Sequence, residues 1–477
     1  MVKVGSCNGG LRCGDSAEME MRMKKTRGTR VLILLLLFVM ILSSVMLSAC
    51  GADKVGFNAK NPVTLTMWHN FGGDMQVTMD TLIDEFNSTV GKEQGIIISV
   101  TAITSSAELQ ETLNMIVNGD PGAPDMPDIT TAYPKTAVLF QNKGMITNLD
   151  SFFTEEELGK YVPAFIEEGR LDDKGLYVFP FAKSTEILYL NQTLFDEFAN
   201  ETGVTMDSLH TFEGIARAAR EYYIWTDEKT PEVTGDGKQF YAADSWINLA
   251  QAGMLQQGSS LFMDEKLNLE NDYYTHIWNT CYDPSVKGGF AIYDGYSSDL
   301  SKTGDLVCST GSSAGILFYG DTITYADNTT QKVEYSILPY PVFEGGAKTA
   351  IQRGNGFMVA ASDEAREMAA AIFLKWFTAP KQNMRFVEST GYLPVTKEAF
   401  ELMPGEMEHV EDARIQKMLQ AVMEMYQDYT FFVAPAFDSF DGVSKTYEKE
   451  YKEMLKQKKE LGTGDSKAAL SEFIKTR

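Results

Sequence analysis

An α/β fold is predicted by three features of the sequence. The globular region opens strand, helix, strand, helix; the turns after those strands gather aromatic and small polar residues; and the length allows more than one domain. About 425 residues follow an N-terminal leader, enough to bury a large core and to suggest two domains. Strands alternating with helices argue a mainly parallel sheet covered on both faces, and in such sheets ligands bind beyond the strand C-termini.

The leader is recognised by its charge and its end. Lys24, Lys25, Arg27 and Arg30 form a positive stretch, and Val31 to Met46 contains only Ser43 and Ser44 as polar residues. That is the pattern of a secretory signal. The residues before Met21 read unlike such a basic stretch, so Met21 or Met23 is an alternative start. A retained transmembrane anchor is the competing reading, since a span needs about 20 apolar residues. Against it, small residues and a cysteine stand where a signal is cut, at Leu47-Ser48-Ala49-Cys50. This tetrad resembles a bacterial lipobox, which implies a diacylated Cys50 as the new N-terminus. Two acyl chains anchor stably where one does not. The expected division is a signal peptide over 1–49 and a lipidated tether over 50–62.

Charge narrows the partners. The chain has 42 basic and 66 acidic side chains; residues 1–49 hold 7 and 3 of them, so the remainder carries 35 and 63, a net charge of −28. Such a surface repels nucleic acid and anionic lipid. Beyond the leader and Cys50 only Cys281 and Cys308 remain. They are either a pair formed in an oxidising compartment or two separate buried thiols, the reading the sequence favours.

In chain order, Val63, Leu65 and Met67 alternate with threonines, the period of a strand. It leads into Trp68-His69-Asn70-Phe71-Gly72-Gly73-Asp74, with Asp74 placed to cap a helix carrying Met75, Met79, Leu82, Ile83 and Phe86. Ile96 to Val100 is a second strand, and Ser105 with Glu108 forms a capping box before Leu109, Leu113, Ile116 and Val117. A proline-rich loop precedes a third strand near Ile129. The loops from Trp68 to Asp74 and from Thr130 to Pro134 lie where ligands bind in such sheets. Further on, Leu176 to Phe181 and Ile187 to Leu190 read as strands separated by a Ser184-Thr185-Glu186 turn. Helices are predicted around Phe212 to Tyr223, Trp246 to Gln257, Glu364 to Phe377, Gln382 to Glu388, Ala413 to Tyr426 and Val443 to Leu455. Strands are predicted at Leu306 to Cys308, Val333 to Leu338 and Phe357 to Ala361. There is no internal repeat.

Catalytic motifs are sparse. No Walker loop, paired-histidine metalloprotease motif or Cys-x-x-Cys occurs, and four histidines at 69, 210, 276 and 409 are too scattered for a metal site. No cofactor is expected. Gly311-Ser312-Ser313-Ala314-Gly315 fits a nucleophile elbow after a strand, but among 39 glycines such a match is weak, and only His409 is left downstream as the base. A glycosidase needs just two carboxylates beside a sugar-stacking aromatic, and 66 acids make such a pair unavoidable.

The binding reading rests on aromatic residues in or beside loops. Sugars present apolar ring faces and many hydroxyls, so their sites need flat platforms surrounded by fixed donors and acceptors. Trp68, Tyr133, Trp246 and Tyr392 are candidate platforms, with core packing as the alternative for each. Trp225, Trp278 and Trp376 read as core.

The strand ending Met67-Trp68-His69, the segment from Pro180-Phe181 to Tyr189-Leu190-Asn191, and Thr390-Gly391-Tyr392-Leu393-Pro394-Val395-Thr396 resemble the extracellular solute-binding proteins of family 1. The resemblance implies a two-lobe periplasmic-binding-protein-like α/β fold, with a ligand cleft between lobes joined by crossing strands. It implies a monomeric, non-enzymatic receptor on the extracellular face of a bacterial cell membrane, delivering its ligand to an ABC permease. The lobes are expected over 63–186 with 335–363, and over 187–334 with 364–477.

Within that family the pattern resembles the glycerol-3-phosphate and sugar receptors. The resemblance places Ser184, Trp246, Ser312 or Ser313, Gly354 and Tyr392 at pocket positions and Tyr133 beside another. Ala107 stands near an expected tyrosine, Pro134 where a glutamate is expected, and Phe431-Phe432 where an arginine is expected. Arginine suits phosphate because its planar fork donates paired hydrogen bonds. An aromatic such as Phe432 suits a sugar ring. The sequence therefore favours a sugar or short oligosaccharide over glycerol-3-phosphate or a glycerophosphodiester.

Overall fold

The computed structural model describes residues 57–103, 105–171, 175–437, 439–462 and 464–475. The expected signal peptide, Cys50 and the tether up to residue 56 lie outside the described residues. The chain divides into Met1–Phe57 and Asn58–Arg477, and the second unit carries the fold below.

Strand β1 (Val63–His69) buries Leu65, Met67 and His69 on one face, as its alternation predicts. It runs parallel to β2 (Ile96–Ala102) and to β3 (Ile129–Ala132). Helix α1 (Asp74–Ser88) buries Met79, Leu82, Ile83 and Phe86, the apolar face read from the sequence. Its cap differs from expectation. Gly73, at φ 58°, takes the N-cap position and no side chain caps the helix, so Asp74 is already inside the first turn. Of the capping box predicted for helix α2 (Ser106–Asn118), one half forms, the Ser105 hydroxyl accepting the Glu108 N–H at 3.3 Å.

The largest departure is β4 (Phe179–Asn191). The sequence predicts two strands with a turn at Ser184-Thr185-Glu186, whereas the chain runs straight through and every residue of β4 is buried. The polar triplet is tolerated because each member finds a partner. Ser184 accepts from the Ser312 hydroxyl at 3.3 Å, Thr185 donates to the Ile351 carbonyl at 2.8 Å, and Glu186 pairs with Arg353 at 3.0 Å. Buried polar groups persist where their hydrogen bonds are made.

The remaining strands of the main sheet are β5 (Tyr241–Ala243), β6 (Cys308–Ser312), β7 (Tyr335–Leu338), β8 (Thr349–Val359) and β9 (Thr430–Val433). One nine-stranded sheet has the order β2-β1-β3-β8-β4-β6-β5, with β7 beside β4 and β9 beside β8. It is mixed rather than mainly parallel. The flanking pairs β1–β2, β1–β3, β5–β6 and β8–β9 are parallel, but β4 and β8 run antiparallel to each other and to the neighbours between those flanks. These two long strands cross from one half of the sheet to the other, which makes the two-lobe α/β architecture: β4 meets β8 with its N-terminal half and β6 and β7 with its C-terminal half.

Helices α3 (Phe212–Asp227), α4 (Trp246–Gln256) and α5 (Asp272–Val286) cover the second half of the sheet, and α6 (Glu364–Phe377) and α7 (Pro380–Thr390) pack on β1 and α1. Helices α8 (Ala413–Asp428) and α9 (Phe440–Glu460) return to the second half, α9 packing against α4 and α5. Trp278 is sealed among the rings of Tyr282, Tyr451 and Phe473. Cys281 and Cys308 are separate buried thiols, and burial pushes both up in pKa.

Candidate functional site

Where it crosses β4, strand β8 floors a cleft of about 770 Å³. Its walls come from different parts of the sheet. Tyr133, Pro134 and Lys135 follow β3, Ser245, Ile247 and Asn248 open α4, Gln352, Arg353 and Gly354 belong to β8, and one face of α9 presents Ser444, Lys445, Glu448, Lys449, Lys452 and Lys456. This is the placement expected of ligand loops in α/β sheets and of small-molecule sites, whose volumes run to about 1,000 Å³.

At the centre lies Arg353. Its guanidinium is 3.0 Å from Glu186, whose side chain is 2 % exposed, and Glu186 also accepts from the Asn248 amide at 2.7 Å. Burial pushes the Glu186 carboxyl above its usual range, with Arg353 and Asn248 pulling it back. Burial works against the Arg353 charge, but attraction to Glu186 together with that of Tyr133, Asp244 and Tyr392 outweighs it, and the guanidinium is held above its usual range. Asp244 is raised by burial, against the two hydrogen bonds it accepts from Ser297 at 2.7 and 2.8 Å.

The other cations of the cleft also face acids, except Lys445, which among the described residues pairs with none. Lys135 pairs with Asp441, Lys456 with Asp294 at 2.6 Å, Lys452 with the same carboxylate at 3.9 Å, and Lys449 with Glu453 at 3.8 Å. At the floor, Lys183 and Glu168 form a buried pair at 2.7 Å, and Gln352 donates to the same carboxylate. Glu448 caps α4 by accepting from the Ser245 hydroxyl at 2.9 Å and the Ile247 N–H at 2.8 Å.

The residues singled out by sequence separate into three groups. Tyr133 and Gly354 line the cleft. Ser184 and Ser312 lie just behind it, Ser312 standing opposite Glu186 in the β4–β6 register. Tyr392 stands beside them, close enough to Arg353 and Tyr133 for their charges to bear on its phenol, its ring stacked on Phe386 at 5.9 Å and edge-on to Phe71 at 5.8 Å. The others face elsewhere. Trp68 packs over the helix carrying Leu109 and Leu113. Trp246 is a correction: as the first residue of α4 its ring turns inward, 2 % exposed, against Tyr451 at 5.1 Å, while its neighbours Ser245 and Ile247 reach the cleft. Phe431 stacks on Tyr426 at 4.5 Å, and Phe431 and Phe432 both pack, partly buried, against the core.

Sequence reasoning missed Arg353, Asn248 and the α9 face. A charged residue inside the otherwise buried run Ala350 to Val359 was the available signal for Arg353.

The elbow motif is structural. Ser313 is buried and its hydroxyl accepts the Thr185 N–H at 3.3 Å. A Cβ on Gly311 would stand 2.4 Å from the Asp244 carboxylate, so packing explains that glycine. His409 lines a separate surface hollow with Asp74 and Arg385. His69 is fully buried, its Nδ1 accepting the Phe71 N–H at 3.2 Å, and burial lowers its pKa against the pull of Asp80. Among the described residues no cluster of three or more His, Cys, Asp or Glu is placed to hold a metal, and no helix is long and apolar enough to cross a membrane.

A model of the bacterial extracellular solute-binding proteins matches residues 81–413. The chain belongs to that family. Among relatives, the sn-glycerol-3-phosphate-binding periplasmic protein UgpB of Rhizobium meliloti (strain 1021) is 23% identical over 376 residues, 75% of this chain and 81% of that protein. The cyclic α-maltosyl-1,6-maltose binding protein of Arthrobacter globiformis shares the fold with a TM-score of 0.65 at 17% identity, over 87% of this chain and 97% of that one. UgpB of Mycobacterium tuberculosis, solved with glycerophosphocholine, does so with a TM-score of 0.63 at 18% identity, over 87% and 98%. The family is one of solute-binding proteins.

Proposed function

We propose that this solute-binding protein is the receptor of an ATP-driven importer and that its cleft takes a neutral sugar or short oligosaccharide. The charge balance of the cleft carries this reading: of the six cations lining it, Arg353, Lys135, Lys449, Lys452 and Lys456 each face a carboxylate, Lys452 and Lys456 sharing Asp294, and among the described residues only the exposed Lys445 faces none, so little positive charge is left over for a phosphate. A buried phosphate monoester needs nearly two charges offset, and leaving them unpaired costs several kcal/mol. A volume of about 770 Å³ also exceeds what a three-carbon phosphate fills. Ligand contacts with both halves of the sheet favour the closed form, a population shift rather than chemistry. The receptor acts as a monomer and passes its ligand to permease subunits. A thermal-shift screen of neutral oligosaccharides and glycerol phosphates, followed by calorimetry on the best ligand, tests the assignment.

A glycerophosphodiester is the second reading. Arg353 favours it, as a guanidinium standing in the cleft where the sequence offered none, together with the similarity to glycerol-phosphate-binding relatives.

The lobe boundaries follow the packing in this reading. Tyr335–Leu338 pairs with Leu188 to Asn191 and goes with the second lobe, and Glu364–Phe377 and Pro380–Thr390 pack on β1 and α1 and go with the first. Cys50 is the lipid attachment point at the outer face of the cell membrane. Cys50→Ala is expected to abolish acyl labelling and leave precursor or released protein; labelling that persists in the variant contradicts the anchor.

A further inference from the structure

The backbone ladder between β3 and β8 stops just short of the cleft. It pairs Ile129 through Ala132 with Val359 through Gly356, so Tyr133 on one strand and Asn355, Gly354 and Arg353 on the other lie beyond its last rung. Tyr133, Gly354 and Arg353 line the cleft, and the ladder alone does not set the distance between the walls they build. On β8 the register against β4 also shifts, between Asn355 and Gly356.

The side chain of Asn70, in the loop after β1, bridges this gap. Its Oδ1 accepts from the Thr131 hydroxyl at 2.9 Å and from the Asn355 amide at 3.0 Å, and its own amide donates to the Ser106 hydroxyl at 2.6 Å. Thr131 stands two residues before Tyr133, Asn355 two after Arg353, and Ser106 is the first residue of α2. Thr131 and Asn355 are 1% and 2% exposed, so removing Asn70 deprives two buried donors of their acceptor, a costly loss. Tyr133 belongs to the same packing: besides the cleft it lines a small hollow with Asn70, Ser106, Thr131 and Asn355. Because hydrogen bonds are directional, a side chain that bonds three elements at once fixes their spacing.

We infer that Asn70 is a positioning residue, which sets the separation of Tyr133 and Arg353 before a solute arrives. A wall held in place beforehand leaves less to be ordered on binding. The inference rests on the cleft being the solute site and not on the choice between a sugar and a glycerophosphodiester.

The test is fluorine NMR on the full chain carrying 3-fluorotyrosine, the Tyr133 line being assigned by its loss in Tyr133→Phe. The parent should give one narrow Tyr133 line. Asn70→Leu keeps the volume, removes all three bonds and should split or broaden that line, whereas Asn70→Asp keeps an acceptor for Thr131 and Asn355 and should restore it. Thr131→Val removes one bond at constant volume and should act in the same direction as Asn70→Leu, which decides the matter if Asn70→Leu does not fold. Calorimetry with maltotriose and with glycerophosphocholine reads the consequence. For a probe that binds the parent, Asn70→Leu should weaken affinity about tenfold, but less than about threefold in a Tyr133→Ala background, where the wall it positions is gone. A parent-like Tyr133 line in Asn70→Leu and Thr131→Val, or the same tenfold loss in both backgrounds, would overturn the positioning role. Failure of both probes to bind the parent leaves the fluorine lines to decide and bears on the solute assignment alone.

Discussion

Lys183→Met is expected to destabilise the protein by about 3–5 kcal/mol, the cost of leaving one partner of a buried ion pair uncompensated. Lys183 and Glu168 are 1% and 8% exposed, and their ion pair is 2.7 Å long. The Phe165 ring lies 6.0 Å from the ammonium, and only the Gln352 amide would remain to face the carboxylate. Removing both charges, with Lys183→Met and Glu168→Leu together, should recover most of the loss, because a well-packed apolar pair replaces a buried ion pair at little cost. Urea midpoints of the parent, the two single variants and the double variant give the coupling. A Lys183→Met chain within 1 kcal/mol of the parent would mean that water reaches the pair and that the floor of the cleft is looser than described.

Gly354→Ala should act at the crossing itself. Gly354 has φ +111°, and a Cβ there would stand 2.1 Å from the Ala182 carbonyl oxygen and 2.7 Å from the Lys183 Cα, both backbone atoms of the opposing strand. Neither can move without parting β8 from β4. Strain of about 1–3 kcal/mol for the backbone and a similar amount for overpacking predict a loss of about 3 kcal/mol or more. Ligand affinity should fall as well, since Arg353 and Gln352 ride on the same strand. A variant with parent stability and parent affinity would show that the two strands approach less closely at this point.

The parts of the fold that were legible in the sequence are those decided locally. Met79, Leu82, Ile83 and Phe86 recur at helical spacing, and their helix forms with that face buried. Ser105 announces the start of α2 through a bond to a residue three positions on. What sequence misread depends on partners far along the chain. Ser184-Thr185-Glu186 looks like a turn until Ile351, Arg353 and Ser312 are brought against it. Trp246 looks like a platform until Tyr451 covers it. Arg353 carried no periodic signal, and the absence of an arginine at Phe431-Phe432 drew attention away from it. Phe431 is occupied with Tyr426, so the guanidinium of the cleft comes from β8 instead.

The central claim is that the cleft binds a neutral saccharide although a guanidinium stands in it. Calorimetry at low and at physiological salt, comparing the best-binding neutral oligosaccharide with sn-glycerol-3-phosphate, tests this most directly. Arg353 is already paired with Glu186 at 3.0 Å, so saccharide binding should be measurable and nearly independent of salt, and glycerol-3-phosphate should bind weakly. Tight binding of glycerol-3-phosphate that weakens as salt rises, with no saccharide bound, would mean that Arg353 leaves Glu186 for the ligand, and would contradict the account.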